Sequence, residues 1–144
     1  MSENPDAETL LNREQLRLEV ALRLKGFQLS SSKDWIHIPW EIAAIRIHFT
    51  RHEKGVGCAS AVLWPSTQLE LEDLTGILRD LDATTQERAA IIESAIGVHI
   101  ALKPVQFTEK LDIPFFMRGI DALAHAIRCL GRAMDENANT EEFS

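Results

Sequence analysis

The chain of 144 residues carries a formal net charge of -7, with 45% hydrophobic and 26% charged residues. That composition is globular, excludes intrinsic disorder, and at this length supports one core burying roughly 70% of the surface the unfolded chain exposes. The acidic balance argues against binding nucleic acid by phosphate neutralisation, two cysteines do not make a disulfide framework, and no apolar run reaches bilayer length.

The N-terminal residues Met1 to Glu8 are acidic and lack the basic start and apolar run of a signal peptide, so the expected compartment is the cytoplasm. Residues 1–8 read as a flexible tail before a single domain over 9–135. Asn12 and Gln15 have the spacing of a capping box, with Leu11 and Leu16 placed as a hydrophobic staple, which predicts a helix from Arg13. Leu18, Ala21 and Leu22 share its apolar side, and Gly26 followed by Phe27 predicts its close near Lys25.

From Phe27 the period turns to two. The expected strands are Phe27 to Leu29, Trp35 to Ile38, a third in which Ile45, Ile47 and Phe49 alternate with Arg46, His48 and Thr50, and a fourth from Val56 to Trp64. Ser30 to Asp34 reads as one turn and Glu53-Lys54-Gly55 as another. Thr67 with Glu70 predicts a helix carrying Leu71, Leu74, Leu78 and Leu81. Thr84 with Glu87 repeats that signal, and Ala89, Ile92 and Ile96 extend the helical spacing to Gly97; two helices, or one broken near Asp82, fit equally. Val98, Ile100 and Leu102, then Val105 and Phe107, predict a short strand returning to the sheet.

Asp112 and Pro114 open the last helix, in which Phe116, Ile120, Leu123, Ile127, Leu130 and Met134 recur at steps of four and three. A parallel line of small residues, Gly119, Ala122, Ala126, Cys129 and Ala133, asks for a second close neighbour, either from this chain or across a homodimer seam at the first four. Residues 136–144 read as a flexible acidic tail. The whole predicts an α+β fold, an antiparallel three- to four-stranded meander with helices packed on one face and a long C-terminal helix.

No catalytic motif emerges. His48 and His52 are four apart on an extended segment, a span of roughly 13 Å that does not converge on a metal. Ser30 and Lys33 match an SxxK pattern but fall in a turn rather than at a helix start. Gly55-Val56-Gly57 leads into a strand and cradles no phosphate. Asp121 and His125 lie one helical turn apart without a recognisable nucleophile. The reading is therefore no catalytic residue, no cofactor and no metal.

Charge is unevenly spread. Residues 68–93 hold seven acids and two bases, whereas residues 33–54 hold four bases, three acids and three of the five histidines. Two surfaces follow as candidates for a protein partner. One is the helix face with Glu70, Glu72, Asp73 and Asp80, suited to a basic partner; the other is the sheet face with Trp35, His37, Arg46 and His48. Core burial is the first expectation for the tryptophans, and Trp35 and Trp40, on either side of Pro39, should face differently.

In order of elements and acidity, residues 8–135 resemble the type III secretion chaperones, although four strands precede the second helix here and three in that pattern. The resemblance implies a dimer that holds partner segments without catalysis. The expected function is a non-enzymatic protein-binding module of chaperone, immunity-protein or phage-inhibitor type, with no membrane contact. The alternatives are a small enzyme built from distant residues such as His37, His48, Asp121 and His125, and a weak nucleic-acid binder using Arg46, Arg51, His52 and Lys54.

Overall fold

A computed structural model describes residues 7–52 and 56–142. In chain order the elements are α1 (Ala7–Leu24), β1 (Ser30–Ser32), β2 (Trp35–Pro39), β3 (Ala43–Arg51), β4 (Gly57–Pro65), α2 (Leu71–Asp80), α3 (Ala83–Arg88), β5 (Ala89–Ser94), β6 (Gly97–Leu102), β7 (Val105–Phe107) and α4 (Ile113–Glu142). The α+β class and the long last helix match the sequence expectation, but the sheet has seven strands rather than three or four. Their order is β1-β2-β3-β4-β6-β5, with β7 also pairing with β4. All pairings are antiparallel.

Alternation in the central strands sets the layers. Ile36 and Ile38 of β2, Ile45 and Ile47 of β3 and Leu63 of β4 are at most 1% exposed. They form one core with Leu18 and Leu22 of α1, Leu74 and Ile77 of α2, and Ile120, Leu123 and Ile127 of α4. Register keeps the intervening residues together on the other face: Trp35 pairs with His48 and His37 with Arg46 across β2 and β3, and Arg46 pairs with Val62 across β3 and β4.

The first helix starts earlier than its capping pattern predicts, because Leu10 and Leu11 are themselves buried and extend the apolar stripe upstream of Asn12. Its end follows the prediction. Gly26 has φ +91°, its N–H donates to the Arg23 carbonyl at 2.9 Å, and the Phe27 N–H reaches the Leu22 carbonyl at 3.1 Å, the paired bonds of a Schellman close. The first strand is Ser30–Ser32 rather than Phe27 to Leu29, since Phe27 is drawn into the core and a two-residue turn at Lys33 and Asp34 suffices.

Two helix starts shift by a few residues. Thr67 lies before α2, whose cap is Glu70, with its N–H donating to Asp73 Oδ2 at 2.9 Å. Asp82 caps α3, accepting the Thr85 N–H at 3.2 Å. The helical reading of Ala89 to Ile96 gives way to strand β5, paired along its whole length with β6 from Ala89↔Leu102 to Ser94↔Gly97. The β-branched pair Ile91-Ile92 suits that conformation, and Ile96, 80% exposed in the hairpin turn, is no core residue. At the other end α4 stays helical to Glu142, through most of the segment read as a tail. The predicted turn at Glu53-Lys54-Gly55 lies outside the described residues.

Glu14 ties α1 to the segment entering α4. Its side chain is fully buried, where it accepts the Leu111 N–H at 2.8 Å and Arg13 Nε at 2.8 Å and pairs also with Arg17. Burial pushes its carboxyl upward, but Arg13, the Leu111 N–H and Arg17 outweigh that and hold it below the ordinary value of 4.5. Its ionised form therefore stabilises the fold fully above about pH 4.5, and that contribution is lost as pH falls through the lowered native value. Glu14→Ala should cost about 1–3 kcal/mol near neutral pH by urea unfolding, and the gap from the parent should close as the pH is taken below the carboxylate range.

Gly57 meets a different demand. A Cβ there would lie 2.6 Å from the Phe107 ring, which is buried where β7 pairs with β4. Gly57→Ala should lower stability by about 1–3 kcal/mol through overpacking, read as a lower urea midpoint with an unchanged slope.

Candidate functional site

The sheet face opposite the buried isoleucines of β2 and β3 collects four of the eight residues that the sequence marks for binding a partner. Trp35, on β2, is 43% exposed, and its ring stacks on His48 of β3 with centroids 3.9 Å apart and planes 11° from parallel. That contact follows from register, since directly opposed residues on one face bring their side chains together. One rung along, His37 opposes Arg46. The Arg46 guanidinium lies 5.9 Å from the centroid of Trp64 on β4, and Trp64 packs on His99 of β6 at 4.5 Å. Trp35, Ile36, His37 and Arg46 line a depression of about 300 Å³.

The tryptophans are not core residues. The interior under β2 and β3 is filled by isoleucines, which leaves Trp35 to the opposite register. Trp40 does face away from Trp35, as expected from the Pro39 bend. It is half-buried at the rim of the core, edge-on to Phe27 at 6.1 Å, with the Arg128 guanidinium 5.8 Å from its ring centroid. The sequence reading missed Trp64 and His99 as parts of the sheet face. Trp64 follows the β4 alternation and was within reach; His99 needed the β4–β6 pairing, which no local signal encodes.

The other candidate groups are dispersed. Glu70 at the cap of α2 and Glu72 and Asp80 within it are exposed, but the Asp73 carboxylate is engaged by the helix cap. In the small-residue line of α4, Gly119 and Ala126 are already buried inside the chain. A Cβ on Gly119 would come within 2.8 Å of Leu102 Cδ1, so this glycine serves the approach of α4 to β6. Ala122 and Cys129 are half-buried and Ala133 is exposed. Asp121 and His125 have different partners: Asp121 accepts from Lys25 Nζ at 3.3 Å, and His125 Nε2 lies 3.6 Å from Cys129 Sγ.

Ser30 is in strand β1, and Lys33 pairs with Glu8 at 2.6 Å, so the SxxK residues do not form a nucleophile pair. Arg51 and His52 are exposed at the far end of β3, while Lys54 lies outside the described residues. A larger groove of about 560 Å³ runs between α4 and the β2–β3 loop, lined in part by Trp40, Ile42, Ile127 and Met134. Its Arg128 is drawn over the Phe27 and Trp40 rings.

Among the described residues, no helix is long and apolar enough to cross a membrane. Comparison of the chain with protein-family models, with curated proteins and with solved structures finds no match.

The exposure of the three indoles orders their response to a quencher. Trp35→Phe should remove the emission most accessible to acrylamide, whereas Trp40→Phe should leave that fraction in place; the Stern–Volmer slopes of the two variants check the placement.

Proposed function

We propose that this protein is a non-enzymatic binding module for another protein, working through the open face of its sheet. The observation that carries the reading is the Trp35–His48 stack beside Arg46 and Trp64 on a solvent-facing surface. Aromatic residues and arginine dominate the energetics of protein contacts, because a large flat side chain buries area at little entropic cost and a guanidinium adds directional hydrogen bonds. Here they are held on adjacent β strands, so little ordering remains to be done on association.

An enzyme assembled from His37, His48, Asp121 and His125 would need those groups to converge. The two histidines project from the open face, whereas Asp121 and His125 are on α4, which packs against the opposite face, and Asp121 is engaged by Lys25. The geometry favours a contact surface over a reactive centre. A chaperone, an immunity protein and an inhibitor would all use such a surface.

The test is capture from the native cell with the tagged full chain. A stoichiometric partner should be recovered by the parent protein and lost with Trp35→Ala, a change that truncates an exposed ring and should leave the unfolding midpoint close to that of the parent. Truncation of a central aromatic anchor typically costs about 2 kcal/mol or more of binding, a loss of about thirtyfold. A partner retained equally by Trp35→Ala would refute this surface as the contact.

A further inference from the structure

The open sheet face differs in charge from the rest of the molecule, and the difference identifies a class of partner. The chain has 22 acids against 15 lysines and arginines. Following the register across the sheet, the open face presents Ser32, Trp35, His48 and Ser60 in one row. The next row is Ser30, His37, Arg46, Val62, Ala101 and Ala90. A third brings Pro39, Ala44 and Trp64 toward His99 and Ile92. None of these residues is a carboxylate, and the one permanent charge is Arg46.

Arg46 is exposed and forms no ion pair among the described residues; its guanidinium lies against the face of Trp64. It is therefore a cation on a partly apolar floor, with its hydrogen-bonding fork still available. A carboxylate placed there gains a charge-assisted, bidentate bond, with no carboxylate in the rows around Arg46 to oppose it.

We infer that the open sheet face binds an acidic segment of a polypeptide, one of whose carboxylates seats against Arg46 in the depression shared with Trp35 and His37 while a neighbouring apolar residue covers the Trp35 ring. This rests on the reading of the face as a protein-contact surface and names the chemistry of its partner. A nucleic acid fits the same face less well. Strong binding of a polyanion requires several phosphates to be neutralised at once, and one arginine on a chain of net charge -7 does not supply that.

The measurement is fluorescence anisotropy of three labelled probes with the full chain. The first is a peptide of glutamate, leucine and glycine, the second the same peptide with lysine for glutamate, and the third an oligothymidylate of equal length. The acidic peptide should bind, with affinity falling modestly between low and physiological salt, and should be favoured over the lysine peptide by about tenfold or more. Arg46→Glu should remove that preference, and Arg132→Glu, a charge reversal on α4 away from this face, should not. Equal binding of the two peptides, tighter binding of the oligothymidylate, or an Arg46→Glu variant that binds like the parent would overturn the inference.

Failure of the partner class is separable from failure of the surface. If the acidic peptide does not bind but a captured protein is still lost with Trp35→Ala, the partner is not acidic and the contact surface stands. If the captured protein is retained as well, both readings fall.

Discussion

The period-two burial of β2, β3 and β4 is the constraint on which the rest of the molecule depends. Fully burying an isoleucine side chain contributes roughly 1.5–3 kcal/mol, and Ile36, Ile38, Ile45 and Ile47 are all inside. Slipping the register by one residue would turn these four outward and drive His37, Arg46 and His48 into the core, adding the cost of a buried guanidinium to the loss of apolar burial. Both penalties act together, so the pairing Trp35↔His48 and His37↔Arg46 is fixed by what lies beneath it. The core therefore sets which positions share the open face, though not which side chains occupy them.

The helices complete the same logic. Leu18 and Leu22 of α1, with Ile120, Leu123 and Ile127 of α4, supply the second half of the interior, and α4 can approach because Gly119 gives way to Leu102. Its line of small residues, which as sequence invites a second copy, is buried within one chain at Gly119 and Ala126 and half-buried at Ala122 and Cys129. The Glu14 carboxylate, satisfied by Leu111, Arg13 and Arg17, sets how α1 meets the segment leading into α4. Glu14 shares the buried side of α1 with Gln15 and Glu19 as well as with leucines, and at zero exposure its filled acceptors offset the cost of burying a carboxylate, so it fixes orientation as well as contributing stability.

Much of this was legible in the sequence where one local signal acted alone. The β3 alternation of Ile45, Arg46, Ile47 and His48, the Gly26 close and the apolar steps of α4 were all readable, and they placed His37, Arg46 and His48 on one wet face. Legibility failed where two signals overlapped. Ala89, Ile92 and Ile96 satisfy a helical spacing, yet the same segment contains adjacent β-branched residues and finds a complete strand partner in β6, and non-local pairing won. Trp35 was expected inside on the strength of its hydrophobicity, but the parity of β2 decides its side more strongly than its size does. The Trp64–His99 contact depends on which strand lies beside β4, a topological fact that no window of sequence contains.

An uncovered sheet face carrying indoles also needs protection from indiscriminate association, and a charge in its middle is a common device for that. Arg46 could be read as such a guard and nothing more. Two features weigh against that reading. A guard of either sign would serve, and a chain with 22 acids and 15 bases would be expected to use its commoner charge, yet the rows around Arg46 are free of carboxylates. A guard also does not account for Trp35, left 43% exposed and braced flat against an imidazole when a smaller polar residue would have made the face safer. Cation, braced aromatic ring and the exclusion of acids belong together if the face is shaped for an anion that arrives with an apolar neighbour.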